Sequence, residues 1–228
     1  MHTLPNGQRM ALLNPNSSQN VTETIAGAVR AGLGERAARF DALTLHAGPP
    51  GVVTQDDADL AAGLVQDWAR EHAAAYGAVV LACFSDPGLA AARGLTATPL
   101  IGLGEAGMRA AMGFGQRVGV LAVATAAIPR HMRYWAQLGV ADRVAAERAI
   151  DLPVAQSGDF DLAFERLLAA GRALRDEDGA DVLLLGCAGM GSLCAPLGDA
   201  LGMRVVEPCA AAAEAAWTVA ASSAAGNA

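Results

Sequence analysis

The sequence predicts an α/β protein of two pseudo-symmetric lobes, each a parallel sheet flanked by helices, with the functional site in the cleft between them. Three observations predict it. Short apolar runs alternate with longer alanine-rich segments of helical spacing, the pattern of parallel strands joined by crossover helices. The runs are apolar throughout rather than at every second residue, as strands covered on both faces require. The second half of the chain also repeats the first.

In chain order, the strand candidates are Met10–Leu13, Ala78–Phe84, Pro99–Leu103, Val118–Ala124, Val182–Leu185 and Arg204–Val206. Each has the length and aliphatic content of a buried strand. Helical segments separate most of them: Val21–Leu33, Asp56–Tyr76 and Phe160–Asp176. The repeat rests on three matches in the same order. Arg9–Leu13 is echoed by Arg117–Leu121, 108 residues later; Cys83 and Cys187, each just past a buried strand, lie 104 apart; Thr98–Ile101 is echoed by Met203–Val206, 105 apart. Residues 9–112 therefore form a first lobe and 113–220 a second, with 1–8 and 221–228 read as flexible termini.

Composition narrows the chemistry. The chain has 228 residues, 53% of them hydrophobic and 17% charged, which excludes a disordered chain and leaves room for a sizeable core. All sixteen basic residues are arginine. Without lysine there is no Schiff base to pyridoxal phosphate or a carbonyl substrate, and no P-loop lysine for a nucleotide phosphate. A formal charge of −7 offers no footprint for nucleic acid. The start of the chain lacks a signal-peptide core, and the alanine-rich run Cys209–Ala220 is too weakly hydrophobic to span a membrane. Four cysteines without CxxC spacing suggest neither a disulfide framework nor a zinc ribbon. A reduced, cytoplasmic protein, a homo-oligomer acting on a small molecule without cofactor or metal, is the expectation.

In open α/β sheets ligands bind beyond the carboxyl ends of the strands. Two lobes related by a pseudo-twofold axis would bring Cys83 and Cys187 toward each other across the cleft. Asp86-Pro87 reads as a helix start just after Cys83, and Gly186 to Gly191 makes a glycine-rich turn around Cys187. A helix N-terminus lowers a thiol's pKa, which suits a proton shuttle beside an enolate-like intermediate. The alternative for a cysteine in an apolar run is core filling. Equivalent positions in a repeat favour function for this pair, whereas Cys194 and Cys209 lack that placement and are read as structural.

Other signals are weaker. Gly102 to Gly107 matches GxGxxG after a strand, but Glu105–Met112 is short for the crossover helix and no acidic residue ends the next strand. Tight packing is the preferred reading of these glycines. His2, His46, His72 and His131 show no ligand spacing. Arg130 to Arg133 could hold an anion, though a solvated helix face is preferred. Asn14 to Ser18 reads as an N-cap loop that also lies on the cleft rim.

Asn14-Pro15-Asn16-Ser17-Ser18, Ala82-Cys83-Phe84-Ser85-Asp86-Pro87-Gly88 and Leu185-Gly186-Cys187-Ala188-Gly189-Met190 resemble the signature motifs of hydantoin and allantoin racemases, within the aspartate/glutamate racemase superfamily. The resemblance runs from about Met10 to Ala212. It implies a cofactor-independent racemase in which one cysteine removes the proton at a carbonyl-activated stereocentre and the other returns one to the opposite face. Carried over by position, Cys83 and Cys187 are the acid/base pair, and Asn14, Pro15, Ser17, Phe84, Ser85, Thr125, Ala188 and Gly189 contact substrate. Where the family closes the first strand of the second lobe with two threonines, this chain reads Val123-Ala124-Thr125. A 5-substituted hydantoin is the first-choice substrate. The alternatives are a related isomerase, decarboxylase or amino-acid racemase, and a non-catalytic two-lobed binder.

Overall fold

The computed structural model describes residues 7–226 of the chain. Eight strands form two sheets. The first contains β1 (Met10–Asn14), β2 (Phe40–Thr44), β3 (Val79–Leu81) and β4 (Leu100–Gly102) in the order β2-β1-β3-β4. The second contains β5 (Val118–Ala122), β6 (Val144–Ala149), β7 (Val182–Gly186) and β8 (Val205–Val206) in the order β6-β5-β7-β8. All pairings are parallel, so strand for strand the two sheets have the same topology. In each, the strand order reverses between the first and third strands, which opens a crevice at their carboxyl ends.

The helices are α1 (Gln19–Leu33), α2 (Gln55–His72), α3 (Leu89–Arg93), α4 (Leu103–Met112), α5 (Ile128–Gln137), α6 (Phe160–Asp176), α7 (Cys194–Leu201) and α8 (Pro208–Gly226). Sequence chemistry sets several of their starts. Thr54 and Asp57 form a reciprocal capping box at α2, Asp159 caps α6, and Pro129 sits in the first turn of α5.

The central strands coincide with the apolar runs, whereas β2 and β6 are absent from the sequence reading. They occupy equivalent edges of the two sheets and are only partly buried; β6 carries Glu147 and Arg148. An edge strand needs no continuous apolar run, and its partly exposed positions accept charge, as at Asp41 and Arg148.

One hydrophobic core lies between the lobes. It joins Met10, Leu12, Val80 and Ala82 of the first with Val118, Val120, Val182 and Leu184 of the second, and with Ala212, Ala213, Ala216 and Ala220 of α8. Helix α8 packs against α1 and α4. Alanine and glycine make that approach possible: a Cβ on Gly32 would lie 2.5 Å from the Ala210 side chain, and one on Gly107 2.8 Å from Pro208. Two further clusters fill the outer face of each sheet. Helix α8 continues past residue 220, with Ala221 buried, so the segment expected to be a flexible terminus is helical as far as Gly226. Residues 1–6 and 227–228 lie outside the described residues.

Candidate active site

Asn14 closes β1 and its side chain is fully buried. Its amide donates to Asn16 Oδ1, Ser18 O and Thr22 Oγ1, and its Oδ1 accepts from the Asn16 N–H. Its side-chain polar atoms are thus committed to the 14–18 loop and to the start of α1. Ser17 reaches outward instead, bonding Pro49 O through its N–H and its hydroxyl.

Cys83 follows β3 in a tight turn closed by Asp86 N–H to Cys83 O at 3.0 Å. Val52, Ala58 and Ala61 pack against it. The Ser85 N–H points at its sulfur. Burial pushes the Cys83 thiol up to about 12, and negative charge on Asp86 and Cys187 adds to the rise; Arg130 and the Ser85 N–H oppose it. Cys187 follows β7 directly and is 7% exposed. Burial raises it too, but its other neighbours, Ser157 Oγ at 3.5 Å and the Gly189 N–H, both favour the thiolate. In both lobes, then, the N–H two residues after the cysteine addresses the sulfur. Charge on Cys187 also acts on Cys83, from the other lobe.

The expectation that a helix start lowers the thiol pKa is corrected here. Helix α3 begins only at Leu89 and has five residues. Desolvation outweighs the N–H donors at both sulfurs. Asp86 caps a different helix: its carboxylate accepts from the Gly104 and Glu105 N–H groups at 3.2 and 2.8 Å, in the first turn of α4, and from the Tyr134 hydroxyl at 2.7 Å. Its backbone is left-handed, with φ 45°. This explains the GxGxxG match. A Cβ on Gly102 would strike Asp86 Oδ2, and one on Gly104 would strike Phe84 O, so these glycines clear space for a buried carboxylate. Burial lifts Asp86 to about 7.

Two loops at equivalent places in the repeat close over the thiols. Loop 45–54, after β2, brings Val52 onto Cys83, and loop 150–159, after β6, brings Ser157 to Cys187. They meet at Gly51, where a Cβ would lie 2.8 Å from the Val154 side chain.

The remaining sequence candidates fall around this cleft in different ways. The Phe84 ring turns into the core, edge-on to His131 and Trp135 at 5.2 and 5.6 Å. Ser85 Oγ contacts Arg130 Nη2 and His131 Nε2 at 3.3 and 3.4 Å. Pro15, Ala188 and Gly189 are buried. Thr125 is exposed, and Asp151 accepts from both its N–H and its hydroxyl, at 2.7 and 2.9 Å. Cys194 and Cys209 are free thiols, and Cys209 Sγ lies 3.8 Å from Ala188 O.

The solvated-face reading of 130–133 holds for Met132 and Arg133 and fails for the other two. His131 is 2% exposed and bonds Glu147 through Nδ1; Arg130 is half-buried. Arg130, His131, Glu147, Asp86 and Ser157 are the site neighbours that sequence reading missed. No motif spacing links them, because they come from a helix, an edge strand and two loops. Among the described residues no cluster of three or more His, Cys, Asp or Glu side chains is placed to hold a metal. No helix among them is long and apolar enough to cross a membrane.

Two parallel four-stranded sheets of one topology, flanked by helices, are the fold of solved racemases. The model of the Asp/Glu/Hydantoin racemase family matches residues 10–216. The chain belongs to that family, which makes it an isomerase of the racemase kind. It is 35% identical to a hydantoin racemase of Rhizobium meliloti over 69% of this chain and 66% of that one. A hydantoin racemase of Paenarthrobacter aurescens is 32% identical over 90% of this chain and 87% of its own length. Among solved structures, an allantoin racemase from Klebsiella pneumoniae superposes with a TM-score of 0.86 at 31% identity, covering 95% of this chain and 89% of that one.

Proposed function

We propose that the chain racemises 5-substituted hydantoins without a cofactor, using Cys83 and Cys187 as paired acid and base, as a cytoplasmic homo-oligomer. One observation carries the mechanism: the two sulfurs follow the same strand of two equivalent sheets, and charge on Cys187 acts on Cys83. Such coupling disfavours two thiolates at once, so in turnover one sulfur ionises while the other keeps its proton. The thiolate takes the proton from the stereocentre, leaving the electron pair delocalised onto the adjacent carbonyl oxygen. The opposite thiol then delivers its proton to the other face and becomes the new thiolate. No net charge enters or leaves, and the two residues exchange roles for the mirror-image substrate.

The Ser85 and Gly189 N–H groups stabilise whichever sulfur is charged. The N–H of Ala188, at the start of a 3-10 turn, is free of intrahelical partners and suits the developing oxyanion. Cys83 and Cys187 are the catalytic residues of this reading. Asn14, Pro15, Ser17, Phe84, Ser85, Thr125, Ala188 and Gly189 form the substrate shell, Asn14 through the loop it shapes. The hydantoin choice rests on the two curated relatives named above; four free cysteines fit a reducing compartment. Polarimetry on optically pure 5-substituted hydantoins, with allantoin, aspartate, glutamate and maleate beside them, tests the substrate. Loss of rotation with a hydantoin supports it, and activity confined to another compound refutes it. Size exclusion tests the assembly.

A further inference from the structure

Arg130 presents a half-buried cation without a counter-charge. Its Nη1 donates to Val53 O and Thr54 O, at 3.2 and 3.1 Å, and its Nη2 to Ser85 Oγ at 3.3 Å. All three acceptors are neutral. Its Nε is buried and has no hydrogen-bond partner, and no carboxylate lies within ion-pair distance of the guanidinium among the described residues. Asp57, which acts on Arg130 from α2, accepts from the Val53 and Thr54 N–H groups; Asp59, Arg133 and Cys83 are its other charged or titratable influences. A guanidinium withdrawn from water and unpaired is costly, and such groups concentrate where a charge is needed during function. The neighbour that becomes an anion in turnover is Cys83, whose sulfur is held by the Ser85 N–H while the Ser85 hydroxyl is held by Arg130 and His131.

We propose that Arg130 is a positioning residue that supplies the counter-charge to the Cys83 thiolate and ties loop 45–54 over it. At Cys187 the groups that favour the thiolate are neutral, Ser157 and the Gly189 N–H. His131 holds the Ser85 hydroxyl through Nε2 and is itself held through Nδ1 by the buried Glu147 side chain. Asp86 acts on Cys83 with the opposite sign to Arg130, so the balance between the two bears on how readily this thiol ionises. The inference builds on the two-cysteine reading but is tested without substrate.

The test follows alkylation of Cys83 by iodoacetamide at pH 8, resolved by peptide mass, in Cys187→Ser protein so that no second thiolate interferes. Well below the thiol's pKa the rate is proportional to the thiolate fraction. Arg130→Met should lower the Cys83 rate about tenfold, the loss that a one-unit rise of its pKa gives. Arg130→Lys, which keeps the charge at this pH, should recover most of it. A loosened loop raises access and with it the rate, so it does not mimic the expected result. An unchanged or raised rate in Arg130→Met protein of wild-type Tm would overturn the proposal. So would failure of Arg130→Lys to recover the rate in protein that melts normally. A chain that racemised no hydantoin could still pass, which separates this inference from the substrate reading.

Discussion

The two halves of the cleft share a backbone and differ in electrostatics. Cys83 lies among charged groups: Asp86 and Arg130 act on it directly, and Ser85 links it to His131 and Glu147. Cys187 lies against Ser157, Gly189 and an apolar cluster that includes Met190 and Ala124. The repeated topology fixes where the sulfurs sit, while side chains outside the repeat decide how readily each ionises. Since Asp86 and Cys187 both add negative charge around Cys83, while Ser157 and the Gly189 N–H favour charge on Cys187, Cys187 is the easier of the two to ionise.

Removing either sulfur should have the largest effect. Cys83→Ser and Cys187→Ser should each lower kcat/KM for racemisation by on the order of a thousandfold, the weight of a general acid or base whose replacement titrates far too high. Near wild-type racemisation by either protein would break the comparison at its root. Enantiomers are equal in free energy, so kcat/KM must fall equally in both directions; a mutant slow in one direction only would point to an assay fault rather than to a role.

Substrate preference should come next. Val123 and Ala124 are buried beyond β5, on the Cys187 side, where they offer no side-chain hydrogen bond. A polar substituent left unpaired there costs about 1–3 kcal/mol, roughly ten- to a hundredfold in kcat/KM. 5-Benzyl- or 5-isobutylhydantoin should therefore outrun allantoin, aspartate and glutamate, and a clear preference for any of those three would refute this assignment of the strand end.

The charged half should also show in stability. Asp86 in the folded protein is lifted to about 7 from an unfolded value near 3.9, so the folded state binds its proton more tightly. Its contribution is fully present below about pH 4 and is lost as pH rises toward 7, a change on the order of 4 kcal/mol. Chemical denaturation of wild type against Asp86→Asn should show their difference falling over that window. Parallel pH profiles would contradict it.

Ser157→Ala, on the quieter half, should have the smallest effect. Losing one hydroxyl to the Cys187 sulfur should raise that thiol further and cut kcat/KM by about tenfold near neutral pH, with recovery toward alkaline pH. A loss independent of pH would mean that Ser157 acts on the substrate or the loop instead.

Much of this was legible in the sequence, for identifiable reasons. The central strands are continuous aliphatic runs, and the repeat spacing located both cysteines without any structure. The edge strands β2 and β6 were not legible, because Asp41, Glu147 and Arg148 interrupt their apolar content. The partners of each sulfur were hidden for another reason. Arg130 reaches Ser85 across 45 residues and Ser157 reaches Cys187 across 30, distances over which no spacing rule operates. The glycines at 102 and 104 were read as packing, and the group they make room for, Asp86, emerged only from the turn geometry.

The central claim is that each thiol serves one face of the substrate, and deuterium wash-in tests it most directly. Each pure enantiomer of a 5-substituted hydantoin is incubated in deuterated buffer with Cys83→Ser or Cys187→Ser protein, against a no-enzyme control. The remaining thiolate can remove and return a proton only on its own side. Cys83→Ser should therefore exchange one enantiomer without inverting it, and Cys187→Ser the opposite one. Exchange of the same enantiomer by both proteins, or inversion by either as fast as its exchange, would contradict the account.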